Sequence, residues 1–381
     1  MKRIWFAVLA LVMVASLCAC STTPPAPSAP AATNSTPAAD APSAAAPAAP
    51  ATGKKVGVAM PTQSSQRWIQ DGGNMKTKLE ALGYSVDLQY AEDDVQAQVS
   101  QLENMITNGA NCLVVASIDS SALVNVLAQA KAAGIPVVAY DRLLMDTDAV
   151  SYYATFDNKG VGVAIGQYVE TKMGLAEGKG PFNIEFFAGS PDDNNAHMLN
   201  AGVFEVLQKY LDNGMLVNVS GQTDFDTICT LRWSQETAQQ RMENLLSGHY
   251  STGKDVDIVI SPFDGISYGI AAALEGAGYK VGTKWPLITG QDAEEMAAKN
   301  IISGKQAQTI FKDTRVLADK CVTMVQAVLE GTQPENNDTT TYNNNKLVVP
   351  SYLCTPVSVD KDNVKSELVD SGYYTAAQLG L

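Results

Sequence analysis

The sequence predicts an α/β protein built from two doubly wound parallel sheets, because apolar strand-like runs alternate with amphipathic helix-like segments along most of the chain. This alternation is typical of right-handed β-α-β units, in which a helix joins two parallel strands. Gly83, Gly109 and Gly134 each follow a helix-like segment, where a left-handed C-terminal residue favours glycine. A purely helical or purely β fold is therefore not expected.

The predicted elements form two series along the chain. In the first series, strands at 55–60, 86–90, 112–116 and 137–140 alternate with helices at 68–82, 95–108 and 121–133. In the second, strands at 152–156, 183–187, 216–220, 258–261, 287–290 and 308–311 alternate with helices at 160–173, 195–211, 235–246, 265–277 and 293–303. Two such lobes face each other across a cleft, which suits hinge closure around a small ligand.

The N-terminal segment has the features of an export signal. Met1-Lys2-Arg3 is basic, and the apolar run at 4–17 is too short to span a bilayer. The run ends in Leu17-Cys18-Ala19-Cys20, which resembles the bacterial lipobox. That resemblance implies that residues 1–19 are a signal peptide and that Cys20 is lipidated at the outer face of the cell membrane or in the periplasm; an ordinary secretory leader cut nearby is the alternative.

Residues 20–53 are predicted to form a tether. After Cys20 this segment consists almost wholly of Ala, Pro, Ser and Thr, which cannot bury enough apolar area to offset the entropy of ordering. In an extended polyproline conformation it would reach on the order of 100 Å. Such a reach would hold a folded domain clear of a membrane surface.

The charge and the cysteines exclude several classes of function. A formal net charge of −14 argues against nucleic acid as a partner, since phosphates require basic patches. The cysteines outside the leader contain no CxxC pair, so a zinc site is not expected, and no cofactor is implied. Whether these cysteines form disulfides is left open by the sequence: they are Cys112, Cys229, Cys321 and Cys354.

Six polar or aromatic clusters lie where apolar runs end. They are Gln66-Arg67-Trp68, Asp141-Arg142, residues 192–195, Arg232-Trp233, Asp264 and Gln291-Asp292. In an open parallel sheet the loops at the carboxyl ends of the strands converge on a crevice. Carboxylates, amides and guanidinium groups with a flat tryptophan suit a neutral ligand with hydroxyl groups on its edges and apolar faces, such as a sugar.

Residues 55–372 resemble the bacterial sugar-binding proteins of ABC transporters, which have the type I periplasmic-binding fold, and in particular the xylose-binding and multiple-sugar-binding receptors. The segments that carry this resemblance are Gln66-Arg67-Trp68, Ala139-Tyr140-Asp141-Arg142, Thr155-Phe156-Asp157-Asn158, Gly189-Ser190-Pro191-Asp192-Asp193-Asn194-Asn195, Gly290-Gln291-Asp292-Ala293 and Phe311-Lys312. The resemblance implies a monosaccharide receptor that delivers its ligand to an ABC permease and ATPase. It also implies a monomer whose chain crosses the hinge three times.

The implied lobes are residues 54–156 with 313–345, and residues 157–312 with 346–381. The residues implied to bind the sugar are Arg67, Trp68, Asp141, Arg142, Asp193, Asn195, Trp233, Asp264, Asp292 and Lys312. Eight of them have a structural alternative: a loop ion pair for Asp141 and Arg142, a helix N-cap for Asp292, a turn for Asp193 and Asn195, a core position for the tryptophans, and a solvated side chain for Lys312.

One departure bears on the ligand. Xylose-specific relatives carry Asn where this chain has Phe263, beside Asp264. This difference favours the broader multiple-sugar receptors and leaves xylose, glucose, galactose and arabinose, and their anomers, as open alternatives. We expect Asp264 to be the polar contact in this segment.

Two other functions remain as alternatives. A sugar sensor for a chemotaxis or two-component system would use the same fold and cleft. A sugar-acting hydrolase would need paired carboxylates as acid and base, and Asp141, Asp264 and Asp292 could serve. Only His197 and His249 are available for histidine chemistry, and no GxSxG motif is present, so an enzyme is not expected.

Overall fold

The computed structural model describes residues 53–381, so the predicted signal peptide, Cys20 and nearly all of the tether lie outside the described residues. The strands are β1 Lys55–Met60, β2 Ser85–Tyr90, β3 Cys112–Val115, β4 Val137–Tyr140, β5 Val150–Phe156, β6 Phe182–Phe186, β7 Leu216–Asn218, β8 Ile258–Ile260, β9 Leu287–Ile288, β10 Gln308–Phe311, β11 Ser351–Cys354 and β12 Val357–Asp360. The helices are α1 Gln66–Ala81, α2 Val95–Thr107, α3 Val124–Ala132, α4 Asn158–Met173, α5 Asn194–Asp212, α6 Phe225–Ile228, α7 Gln235–His249, α8 Asp264–Gly276, α9 Glu295–Ser303, α10 Thr314–Glu330 and α11 Ala376–Leu379.

The first sheet has its strands in the order β11-β5-β4-β3-β1-β2, all parallel. The inner strands β3 and β4 are buried along their whole length, since helices cover both faces of the sheet. Side chains of α1 and α10 join the apolar cluster on one face, and those of α2 and α3 join the cluster on the other. We call the body around this sheet the first lobe.

The second sheet has the order β7-β6-β8-β9, again all parallel. Helices α4 and α5 contribute to the apolar cluster on one face, and α7 and α8 to the other. The strands β10 and β12 form an antiparallel ribbon that is joined to the end of β9 by backbone hydrogen bonds. We call this body the second lobe. The two parallel sheets with helices on both faces confirm the predicted α/β fold.

One boundary of the implied lobes needs correction. Residues 346–381 were expected in the second lobe, but β11 pairs in parallel with β5 from Ser351↔Tyr153 to Cys354↔Phe156 and so completes the first sheet. The next strand, β12, pairs with β10 in the second lobe. We therefore propose that the last hinge crossing lies between Cys354 and Val357, and that 157 and 313 mark the other two.

Two further features follow from the packing. Cys112, Cys321 and Cys354 are buried, Cys229 is half-buried, and all four are free thiols. Burial raises the pKa of the Cys112 thiol to about 12, which makes it unreactive at neutral pH. Within residues 53–381, every helix is too short or too polar to cross a bilayer.

Candidate ligand-binding site

A cavity of about 400 Å³ lies where the strand ends of the two sheets meet. Each of its walls follows the carboxyl end of a strand, as expected for parallel α/β sheets. From the first lobe, side chains after β1, β2 and β4 line it. From the second lobe, Asn158 after β5 and side chains after β6, β7, β8, β9 and β10 do. Nine of the ten predicted residues line this cavity: Arg67, Trp68, Asp141, Arg142, Asp193, Asn195, Trp233, Asp292 and Lys312.

Arg67 is the centre of a buried charge network. Its Nε donates to Oδ2 of Asp71 at 2.9 Å, its Nη2 donates to Asp141, and its Nη1 lies 3.4 Å from Oδ1 of Asp292. Lys312 Nζ lies 2.9 Å from Oδ1 of Asp292 and 3.8 Å from Oδ2 of Asp141. Carboxylates of both lobes thus share two cations. Burial alone would raise the pKa of Asp141, but the charges of Arg67 and Lys312 outweigh it and lower the pKa.

The backbone of Asp141 is held in a left-handed conformation with φ of 57°. Three donors fix its carbonyl oxygen: Tyr153 OH at 2.5 Å, Thr155 Oγ1 at 2.8 Å and Asn195 Nδ2 at 2.8 Å. A non-glycine residue tolerates this conformation only where its surroundings over-determine it. The sharp turn after β4 therefore directs successive residues, Asp141 and Arg142, into the cavity.

Arg142 joins the two lobes on another side of the cavity. Its Nε lies 3.0 Å from Oδ2 of Asp193, and its Nη1 donates to the carbonyl of Ser117 at 2.9 Å. Asp193 is also the N-cap of α5, since its Oδ1 accepts from the backbone N–H of Asn195 at 2.9 Å. Burial raises the pKa of Asp193, and Arg142 opposes that rise. Arg142 thus forms an ion pair, and Asp193 accepts a backbone hydrogen bond in a turn. Both side chains also line the cavity.

The two tryptophans have different surroundings. Trp68 is buried and lies in the first-lobe core, with the guanidinium carbons of Arg67 and Arg142 at 4.8 and 5.1 Å from the centre of its ring. Trp233 is half-buried and meets Phe263 edge to face, with ring centres 6.2 Å apart. A Cβ at position 189 would collide with the indole of Trp233, so Gly189 is the residue that admits this ring.

Asp264 is the predicted site residue that the structure does not bring to the cavity. Its side chain is fully buried behind the lining. Oδ1 accepts from Gln306 Nε2 at 2.8 Å and Thr309 Oγ1 at 2.9 Å, and Oδ2 accepts from the backbone N–H of Glu294 at 2.9 Å. Burial raises the pKa of Asp264 well above its usual value. Asp264 holds the segment that carries Asp292 instead of facing a ligand.

The cavity lining also contains residues that the sequence did not single out as binding residues. Asn158 donates to Oδ1 of Asn195 at 3.0 Å, and Glu294 accepts from Tyr268 OH at 3.1 Å and Ser65 Oγ at 2.8 Å. Two of them could have been predicted from the sequence. Asn158 ends the Thr155–Asn158 segment, which carries the family resemblance, and Glu294 comes two residues after Asp292. Tyr268 lies inside α8, where nothing in its spacing distinguishes it from a core tyrosine.

The electrostatics of the lining suit a neutral ligand. Among the residues that the structure describes, each cation of the lining has a carboxylate partner: Arg67 and Lys312 with Asp141 and Asp292, Arg142 with Asp193, and Arg232 with Asp192. The cations of the lining are therefore already paired with carboxylates and are not available to an anionic ligand. No group of His, Cys, Asp and Glu within residues 53–381 has the arrangement of a metal site.

A comparison with protein families matches residues 56–333 to the periplasmic binding protein domain. The chain belongs to the periplasmic binding protein family. It is 54% identical over 325 residues to the multiple sugar-binding periplasmic receptor ChvE of Rhizobium radiobacter, covering 85% of this chain and 92% of that receptor. It is 33% identical to the D-xylose-binding periplasmic protein of Escherichia coli, with the same coverage of both chains.

Solved structures of the periplasmic binding protein family agree with this assignment. An ABC transporter solute-binding protein from Clostridium phytofermentans with bound β-D-glucose is 52% identical, has a TM-score of 0.83, and is matched over 86% of this chain and all (100%) of its own. One from Chloroflexus aurantiacus in complex with D-glucose is 32% identical, with a TM-score of 0.76 and coverage of 85% and 98%. These relatives are binding proteins and not enzymes.

Proposed function

We propose that this protein is an extracytoplasmic receptor that captures a monosaccharide between its two lobes and delivers it to an ABC importer. The observation that carries the proposal is the cavity itself. Each of its cations is paired with a carboxylate, Arg67 and Arg142 with one from the opposite lobe, and an aromatic ring also lines it. Paired charges provide directional hydrogen bonds to hydroxyl groups without attracting an ion. The sugars bound by relatives that are 52% and 32% identical support the same ligand class.

The individual roles follow from the chemistry of each side chain. Asp141 and Asp292 would accept hydrogen bonds from hydroxyl groups, while Arg67, Arg142 and Lys312 would donate to ring and hydroxyl oxygens. Trp233 would stack on the apolar C–H face of the sugar, and Trp68, which has two guanidinium groups near its ring, would position Arg67 and Arg142. Asp193 and Asn195 complete the set from the second lobe.

The mechanism is reversible capture. Since the cavity draws its lining from both lobes, a bound sugar contacts both and favours the closed arrangement over the open one. A partner that recognises the closed form then receives the ligand. For such a receptor we expect a dissociation constant near micromolar or tighter, which corresponds to about −8 kcal/mol or more favourable.

Two further parts of the proposal concern the N-terminus and the assembly. We propose that Cys20 carries a lipid that anchors the protein outside the cytoplasm, and that the folded part is a monomer. Cys20→Ala is then expected to move the protein from the membrane fraction to the soluble fraction of cells. Retention of this variant in the membrane fraction would reject the anchor.

The experiment that tests the sugar-binding role is a calorimetric titration of the purified protein with D-glucose, D-xylose, D-galactose and L-arabinose. Saturable binding of one or more of these, with the sugar recovered unchanged, is the expected result. Recovery of a converted sugar would favour the hydrolase alternative. Binding of none would reject the proposed ligand class.

A further inference from the structure

Two helices from opposite lobes begin opposite each other at the rim of the cleft. Gln66 is the first residue of α1 in the first lobe, and Glu295 is the first residue of α9 in the second. The side-chain Oε1 of Gln66 accepts from the backbone N–H of Glu295 at 3.1 Å. Gln66 and Glu295 do not line the cavity, unlike their neighbours Ser65 and Glu294.

Neither helix is capped by its own N-cap side chain. The first backbone N–H groups of a helix have no partner within it, and a side chain of the N-cap residue usually accepts one of them. Ser65 precedes α1 and Glu294 precedes α9, yet neither accepts such a bond. Instead, Ser65 Oγ donates to Oε1 of Glu294 across the cleft at 2.8 Å, which leaves the N–H of Glu295 to Gln66.

We propose that Gln66 is an affinity-setting residue that caps α9 from the opposite lobe and thereby stabilises the closed form without touching the ligand. This inference rests on the proposed function as a sugar receptor. In the open form the lobes separate and the N–H of Glu295 returns to water. The hydrogen bond therefore contributes only to the closed state, and it adds to whatever free energy the ligand supplies.

A substitution of Gln66 should change ligand affinity in a different way from a substitution of a residue in the cavity. The apparent affinity of a ligand scales with the fraction of protein in the binding-competent state. Loss of a bond that only the closed form makes lowers the affinity for every ligand by the same factor. Loss of a ligand contact instead changes different sugars by different factors, because each sugar presents different hydroxyl groups.

The test compares Gln66→Ala with Gln96→Ala in the full-length protein. Gln96 is a matched control, since it is an exposed glutamine in the first turn of the first-lobe helix α2 and does not line the cavity. Dissociation constants for D-glucose and D-xylose are measured by calorimetry, dissociation rates by stopped flow, and stability by thermal unfolding without sugar.

For Gln66→Ala we expect both dissociation constants to rise about two- to tenfold, as the net effect of one hydrogen bond allows. We expect their ratio to stay at the wild-type value, the rise to come from faster dissociation, and the sugar-free melting temperature to stay unchanged. Gln96→Ala should match the wild type throughout. Unchanged affinity in Gln66→Ala, or a changed ratio between the sugars, would overturn the inference.

A second measurement separates this inference from the proposed function. Spin labels placed by Glu103→Cys and Glu205→Cys, on exposed positions of the first and second lobes, report the distance between the lobes in a Cys229→Ser background. If the wild type binds no sugar, the proposed function fails, and the distances of the sugar-free protein decide about Gln66. A population at the closed distance that shrinks in Gln66→Ala supports the cap, and identical distributions in both proteins reject it.

Discussion

At the scale of single residues, the cavity is organised before any ligand arrives. Arg67 contacts Asp71 and Asp141 of its own lobe and also lies near Asp292 of the other. Buried charges that already have partners lose little orientational freedom when a neutral ligand enters, so preorganisation contributes to affinity. The same pairing makes removal of one member costly, because the remaining charge stays buried.

Asp292→Ala is the most direct change to this network. Its carboxylate is expected to accept hydroxyl groups of the sugar and is the nearest anion to Lys312, so its loss should weaken sugar binding by at least about 2 kcal/mol, or about 30-fold. Calorimetry measures the effect. Asp224→Ala, at an exposed position of the second lobe, serves as the control and should bind as the wild type does. Wild-type affinity in Asp292→Ala would remove Asp292 from the site.

Gly189→Ala tests the placement of Trp233. The added methyl group would collide with the indole, so the ring must shift from its present place in the cavity lining. We expect sugar affinity to fall by at least about 1 kcal/mol and the change in tryptophan fluorescence on binding to diminish. Gly248→Ala places the same methyl group in open space on α7 and should leave both unchanged. Equal affinity in the two variants would contradict a stacking role for Trp233.

Asp71 gives a pH-dependent prediction. Burial raises its pKa from 3.8 to about 6, against the opposing effects of Arg67 and Tyr140. Between these values the folded state binds more protons than the unfolded state, so the contribution of Asp71 to stability grows as the pH falls through this window. The free energies of unfolding of wild type and Asp71→Asn are compared by urea denaturation at about pH 7 and about pH 5. The free energy of unfolding of the wild type, relative to that of Asp71→Asn, should be higher at the lower pH. An equal difference between the two proteins at both pH values would refute a raised pKa for Asp71.

At the scale of elements, the segment between β9 and α9 is held in an unusual conformation. Asp292 and Ala293 have φ angles of 95° and 52°, a region that non-glycine residues rarely adopt. Thr309 Oγ1 accepts from the backbone N–H of Ala293 at 3.1 Å, and Asp264 accepts from that of Glu294 at 2.9 Å. These bonds direct Asp292 towards the cavity while its backbone continues into α9.

Asp264→Asn separates a structural role from ligand contact. An amide replaces one of the acceptor oxygens with a donor, so a buried hydrogen bond is lost and the free energy of unfolding should fall by about 1–3 kcal/mol. Sugar affinity should fall with it, because the Asp292 segment loses its support. Denaturation and calorimetry report the two quantities. Reduced affinity at unchanged stability would instead restore Asp264 as a ligand contact.

The elements also show what the sequence could predict. Strands such as β4 are short apolar runs followed by polar residues, and the ends of such strands correctly located the cavity lining. The direction of a side chain after a strand was not predictable: Asp141 after β4 enters the cavity, whereas Asp264 after β8 turns back to Gln306 and Thr309. Both follow apolar strands, and only the tertiary contacts of the next residues distinguish them.

At the scale of the whole molecule, the contacts that matter most join distant parts of the chain. Gln66 and Glu295 are separated by 229 positions, and β11 returns to the first sheet beside β5 after the chain has built the second lobe. No local pattern encodes such pairs. The resemblance to a known family implied two lobes and three crossings, and the pairing of β11 with β5 supports our proposal of a later last crossing, between Cys354 and Val357.

The molecule as a whole has two lobes, and under the proposed function a bound sugar adds contacts between them. Charged side chains from both lobes meet in the cavity, and a hydrogen bond between Gln66 and Glu295 joins the lobes at its rim. The balance between open and closed forms therefore depends on the ligand and on the protein's own contacts together. Side chains in the cavity then determine which sugars bind, whereas the contact at the rim raises the affinity for every sugar by the same factor.

Calorimetric titration with a panel of aldopentoses and aldohexoses decides whether this protein is a sugar receptor. The purified protein is first unfolded and refolded to remove carried-over sugar. We expect saturable binding of at least one aldopyranose, near micromolar or tighter, with the sugar recovered unchanged. Failure of the refolded, correctly structured protein to bind any monosaccharide, or chemical conversion of the sugar, would contradict this expectation.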